Sequence, residues 1–180
     1  NEIIANIRSL EEQAGNSAKQ IEDLSNKYNR TLARKNTIEE MESNYEGYNN
    51  AVRLLMKQHT GGIIGTVSDL IKVPAGYEVA TETALGAAMQ NIICDDDASA
   101  KSAVRWLKDN KAGRATFLPL SSIRYNKQYP EREIENAPGY LGVASEIVKV
   151  DDKFHSILEY LLGRVIFTSN MDDAVRISKM

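Results

Sequence analysis

GGIIGTVSDLIKVPAGYEVATETALG, Gly61 to Gly86, is echoed by GYLGVASEIVKVDDKFHSILEYLLG, Gly139 to Gly163. At a gapless offset of 77 residues, Gly62–Gly86 and its echo are identical at eight of 25 positions. These are Gly62/Gly139, Gly65/Gly142, Ser68/Ser145, Lys72/Lys149, Val73/Val150, Glu82/Glu159, Leu85/Leu162 and Gly86/Gly163. Asp69/Glu146, Leu70/Ile147, Ile71/Val148 and Tyr77/Phe154 are conservative pairs. Self-similarity at one fixed offset means that one supersecondary unit is used twice. Two copies are too few for a solenoid and suit an α+β domain of two pseudo-symmetric halves. Each copy predicts a short strand entered through glycines, a turn of helix, and a helix stopped by Gly86 or Gly163.

Outward from the first copy, Asn91 to Cys94 predicts a short buried strand, and Asp95-Asp96-Asp97 caps a helix over residues 98–110. Ala100, Val104 and Leu107 are expected on its inner face. GRATFLPL, Gly113 to Leu120, reads as a turn, a strand and a proline stop. The polar stretch 121–138, with Pro130 and Pro138, reads as a linker. After the second copy, Arg164 to Phe167 predicts a strand and Asn170 to Asp173 a helix start. Nothing there answers GRATFLPL.

Before the repeat, residues 1–58 hold no proline and only two glycines, Gly15 and Gly47. Ile3, Ile7, Leu10, Ala14, Ile21, Leu24, Tyr28 and Ile38, with Ser17, Thr31 and Lys35 as weak members, follow the alternating three- and four-residue steps of a coiled-coil seam. Gly15-Asn16 is a weak point where this arm is expected to bend or break. After Ile38 the stripe slips to Met41, Tyr45, Tyr48, Val52 and Leu55, which reads as the same helix turning from a coiled-coil partner to a globular body. The expected organisation is a coiled-coil arm over 1–40 and a globular domain over 41–180. The latter comprises a first half (41–120), a linker (121–138) and a C-terminally incomplete second half (139–180).

A net charge of −3 gives no global pull toward nucleic acid, so any such signal is local. Between Lys101 and Arg132 eight basic residues face two acidic ones, a local +6, with Trp106, Tyr125 and Tyr129 interleaved. Lys101, Arg105, Lys108, Lys111, Arg114, Arg124 and Lys127 are therefore candidate DNA contacts. A solvated helix face and a polar loop account for the same residues. The single cysteine, Cys94, excludes an internal disulfide and favours a reducing, cytoplasmic setting. No apolar run of about 18 residues suggests a membrane span. Gly61-Gly62-x-x-Gly65 departs from the dinucleotide and P-loop patterns and is a backbone device. Consecutive aspartates diverge, and His59 and His155 lack partners at ligand spacing, so no metal, cofactor or catalytic group is expected.

A heptad helix running into YEGYNNAVRLLMK (Tyr45 to Lys57), then the first repeat with ETALGAAMQNIIC, then KAGRATFLPL resembles the hinge of bacterial structural maintenance of chromosomes proteins. The resemblance covers about Met41 to the end, with the heptads similar to the top of the arm. It implies a dimerisation hinge, not an enzyme, that joins coiled-coil arms and contributes to DNA entrapment and chromosome condensation and segregation. The ATPase heads lie at the far ends of such arms. The partners implied are a second hinge and DNA, with kleisin and accessory condensin subunits bound elsewhere on the longer protein, and a nucleoid-associated location. Gly62, Gly65, Gly86, Gly113, Gly139, Gly142 and Gly163 are implied as structural or interface glycines. The family pattern continues beyond the last helix with another strand and a glycine-rich stretch. The rival readings are a sequence-independent nucleic-acid-binding module with incidental dimerisation, and a small-molecule enzyme.

Overall fold

The computed structural model describes residues 2–58, 61–126 and 129–180; His59 and Lys127 lie outside them. The chain divides into one unit ending at Gly47 and a second from Tyr48 to Met180. The first unit is helix α1 (Glu2–Ser43), which buries none of its residues. Ile3, Ile21 and Leu24 are 74%, 68% and 64% exposed, so the heptad seam lies open to solvent in the single chain. The helix passes through Gly15 uninterrupted, contrary to the expected break. Helical hydrogen bonding at i−4 on either side outweighs a penalty of about 1 kcal/mol for one glycine.

The expected continuous helix to residue 58 is instead divided. Tyr45 (φ 53°) and Gly47 (φ 86°) adopt left-handed backbone after Ser43. Helix α2 (Asn50–Gln58) then restarts, with the Asn49 side-chain carbonyl accepting from the Ala51 amide at 2.9 Å. A glycine in the left-handed region followed by an Asn cap is a stop and a start, which the apolar spacing alone does not display.

The second unit contains two versions of one motif. In the first, strand β1 (Ile63–Thr66) leads to α3 (Val67–Leu70), α4 (Glu78–Leu85), a 3₁₀ turn (Gly86–Gln90), strand β2 (Ile92–Cys94), α5 (Asp97–Asp109) and strand β3 (Phe117–Pro119). A short helix α6 (Arg132–Glu135) interrupts the expected linker. The second version runs β4 (Tyr140–Val143), α7 (Ala144–Ile147), α8 (His155–Leu162), β5 (Ile166–Thr168) and α9 (Met171–Ile177). β1 and β2 are antiparallel, β2 and β3 parallel, and β4 and β5 antiparallel.

The likeness extends to register. Ile63, Gly65 and Thr66 face Cys94, Ile93 and Ile92, with an irregularity between Ile63 and Gly65. Tyr140, Gly142 and Val143 face Thr168, Phe167 and Ile166, with the same irregularity between Tyr140 and Gly142. Ile92 thus corresponds to Ile166 and Ile93 to Phe167. Asp96, which accepts from the Ser99 amide to cap α5, corresponds to Asn170, which accepts from the Asp173 amide to cap α9.

The two versions meet at their own equivalent residue. Lys72 and Lys149 form an isolated antiparallel bridge, with Lys72 N–H donating to Lys149 carbonyl at 2.7 Å and the reverse bond at 2.9 Å. A pseudo-two-fold axis therefore passes between them. Across it, one core joins Val67, Leu85 and Ile93 to Val148, Phe154, Leu158, Leu162 and Phe167. Tyr77 stacks on Phe167 with centroids 5.7 Å apart, while Phe154 lines the same small void as Ile93. Each half thus sends the aromatic before its long helix toward a strand of the other, Tyr77 to β5 and Phe154 toward β2. A second core packs α2 on α5 through Ala51, Val52, Leu55, Ala103 and Leu107. The inner face of α5 differs from expectation: Ala103 is fully buried and Val104 is 52% exposed. The core it shares with Ala51 of α2 takes the small alanine, and the larger valine faces water.

Gly62 and Gly139 both have φ 80°. A Cβ on Gly62 would sit 2.6 Å from the Cβ of Ser99, and one on Gly139 would sit 2.7 Å from the Cβ of Asp173. Gly62→Ala and Gly139→Ala are each expected to lose more than about 1 kcal/mol in chemical denaturation, because alanine meets both strain and a clash. Gly61→Ala, with nothing within 4 Å, serves as the near-neutral comparison.

Candidate nucleic-acid and subunit interfaces

Helix α5 organises the basic residues. Its start is fixed by Asp96, whose carboxylate accepts from Ser99 N–H at 2.8 Å. The Ser99 backbone bond, then its side chain, holds the Asp96 carboxyl below its usual value. Asp97 accepts from the Ser122 hydroxyl at 2.9 Å and ties the following loop to this helix. Lys101, Arg105 and Lys108 lie at i, i+4 and i+7 and are exposed, which places them on one face. Lys111 turns the chain in left-handed backbone (φ 51°), and Arg114 follows, also exposed.

The other basic and aromatic candidates do not join this face as one group. Arg124 donates through Nη1 to the carbonyls of Ser121 and Ile123, both at 2.9 Å, and so braces its own loop. Trp106 is half-buried against the α2–α5 core. Tyr125 meets His155 edge-on at 6.3 Å. Tyr129 is 71% exposed.

Burial first, then the Asp96, Asp95 and Asp97 carboxylates, push the Cys94 thiol up to about 11, so it stays protonated at neutral pH. No group of three or more His, Cys, Asp or Glu side chains among the described residues is placed to hold a metal ion.

The seven candidate glycines all have places within the single chain. Gly62 and Gly139 admit the chain to β1 and β4, while Gly65 and Gly142 sit at the two strand irregularities. Gly86 follows α4, and the Gly163 amide closes α8 on the Glu159 carbonyl at 2.9 Å. Gly113 turns beside Ala51, 3.6 Å from where a Cβ would lie.

The halves differ at one edge. On β2, Ile92 N–H donates to the Thr116 carbonyl at 2.8 Å and the Cys94 carbonyl accepts from Leu120 N–H at 2.9 Å, which seats β3. On β5 the corresponding edge at Ile166 and Thr168 carries no strand among the described residues. Contacts at the root of α2 were not foreseeable from motifs. Tyr48 Oη lies 2.5 Å from Ser68 Oγ, and the Asn49 amide donates to Gln90 Oε1 at 2.7 Å. Their only trace in the sequence is Tyr48 in the shifted apolar stripe.

The chain holds one long helix with no buried residue and a globular unit of two like halves. The chain belongs to the SMC proteins, matching their flexible hinge domain over residues 60–178. It is 40% identical over 153 residues to the chromosome partition protein Smc of Bacillus subtilis, covering 82% of this chain and 13% of that protein. The Smc of Halothermothrix orenii is 40% identical over 146 residues, 79% of this chain and 12% of its own length. The chain therefore spans about an eighth of these relatives. A crystal structure of an asymmetric dimer of the Geobacillus stearothermophilus SMC hinge domain matches with a TM-score of 0.79 at 40% identity, covering 84% of this chain and 62% of that one. The Pyrococcus furiosus hinge with an extended coiled coil matches with a TM-score of 0.61 at 28% identity, covering 96% and 64%.

The caps of α5 and α9 provide a pH test. Because the folded Asp96 carboxyl ionises more readily than the unfolded one, its cap stabilises above the ordinary carboxylate range. That contribution is lost as pH falls through the lowered folded value. Asp96→Asn copies the neutral cap of α9, so its melting temperature is expected to fall less than that of the wild type between about pH 6 and pH 3.

Proposed function

We propose that the unit from Tyr48 to Met180 is where two copies of a chromosome-organising protein meet, joining their coiled-coil arms and contributing to DNA entrapment, condensation and segregation. The observation that carries this is the pair of small sheets, β1-β2-β3 and β4-β5, built from pseudo-two-fold halves, whose outer strands each lack a second neighbour among the described residues. Unpaired edges are templates for further pairing, and a pseudo-two-fold body can satisfy two such contacts at once in a closed dimer. The exposed seam of α1 supports the same reading, since an apolar heptad stripe in water calls for a helical partner. The dimeric hinge of the Geobacillus relative agrees with it. In the longer protein, ATP hydrolysis and kleisin and accessory-subunit binding belong to other segments, and the module acts on the nucleoid in the cytoplasm. No described helix is long and apolar enough to cross a membrane. Sedimentation equilibrium over a wide concentration range is expected to show concentration-dependent self-association. A species that stays monomeric throughout, also after the family's next strand and glycine-rich stretch are appended, refutes the assignment.

A second activity, sequence-independent DNA binding, is favoured by the exposed row Lys101, Arg105 and Lys108 with Lys111 and Arg114 beyond it. Phosphate neutralisation releases counterions, so affinity is expected to fall steeply with salt. Reversing Lys101, Lys108 and Lys111 to glutamate should reduce the slope of log K against log salt by about one per phosphate contact removed, with the fold intact. An unchanged slope returns these lysines to the role of solvated surface.

A further inference from the structure

Helix α1 carries its charge in separate bands. Residues 24–38 hold four cations, Lys27, Arg30, Arg34 and Lys35, and no carboxylate, whereas the rest of the helix holds eight carboxylates against Arg8 and Lys19. The basic band lies along the exposed seam. With Ile21 and Tyr28 at heptad position a and Leu24 and Thr31 at d, Lys35 falls at a, and Lys27 and Arg34 fall at g, one heptad apart. Lys35 Nζ reaches Glu39 Oε1 on its own helix at 2.7 Å. Lys27, Arg30 and Arg34 are exposed and make no ion pair among the described residues. Spaced i, i+3 and i+7, they form one row on the helix surface.

Position g borders the seam, so a helix laid on that seam brings its own e or g residues against Lys27 and Arg34, and such flanking charges set partner choice. A second copy of α1 does not answer them. Its g positions carry no carboxylate, and its e positions carry Glu11 and Glu39, which are four heptads apart rather than one. Paired parallel and in register, it would also set Lys35 against Lys35 within the seam. We infer that this band selects, as the partner of α1, a different helix that presents two carboxylates one heptad apart beside an apolar seam. The inference rests on the reading that the seam of α1 takes a helical partner, and it adds what that helix carries.

The test titrates the 180-residue chain with three labelled synthetic helices of about five heptads that share one apolar a/d seam. Their outer e and g positions are Gln, and those of the two central heptads are Glu, Lys or Gln. The Glu helix is expected to bind about tenfold more tightly than the Lys helix, with the Gln helix between them and the spread shrinking as salt rises. Lys27→Glu combined with Arg34→Glu should reverse that order while circular dichroism shows α1 still helical, because both positions are exposed. Reversing Lys101 and Lys108 on α5 should leave the order unchanged. A Gln helix that binds as well as the Glu helix overturns the inference and leaves the seam reading standing, whereas binding by none of the three takes both down. An order that survives the double reversal on α1, or that moves with the reversals on α5, also overturns it.

Discussion

The second unit depends on an exchange of aromatic side chains across its internal axis. Tyr77 reaches Phe167 in the other half, and Phe154 reaches the void beside Ile93. Burying a large apolar side chain contributes about 1.5–3 kcal/mol, whereas a backbone hydrogen bond contributes about 1 kcal/mol net. With Phe154, Ile157, Leu158, Leu162 and Phe167 in the shared core, apolar burial holds the halves together. The Lys72–Lys149 bridge does something else. An antiparallel backbone pair carries its own local two-fold symmetry, so it fixes the register at which two like halves meet.

Departures from symmetry are where this unit offers surfaces. The first half is closed: β3 covers the edge of β2, and α2 brings Tyr48 to Ser68 and covers α5. In the second half, among the described residues, the Ser145 hydroxyl has no hydrogen-bond partner. Positive charge is likewise one-sided, since α5 carries Lys101, Arg105 and Lys108 whereas α9 carries Arg176, which is paired with Asp173.

Much of this was legible because glycine and capping residues leave a record in sequence. The pairs Gly62/Gly139 and Gly65/Gly142 marked equivalent strand entries and irregularities, and Asp96 and Asn170 announced their helices. What escaped involves contacts between distant residues. That Lys72 and Lys149 are identical was visible, but that they bond to each other is a property of the axis. Val104 outranked Ala103 by hydrophobicity, and only the shared core with Ala51 reverses that order. Of the basic candidates, spacing could identify the face shared by Lys101, Arg105 and Lys108. It could not show that Arg124 is engaged by its own loop carbonyls.

The aromatic exchange also bears on how the chain comes into being. During synthesis, Leu85 and Ile93 leave the ribosome well before Phe154 and Phe167, with Ile93 and Phe167 separated by 74 positions. At roughly 5–20 residues per second, that separation is on the order of 4–15 s. Once Pro119 has followed, the first half has its three strands but not its apolar cover. A fold whose halves complete each other thus leaves the apolar face of its first half uncovered until the second half has been made.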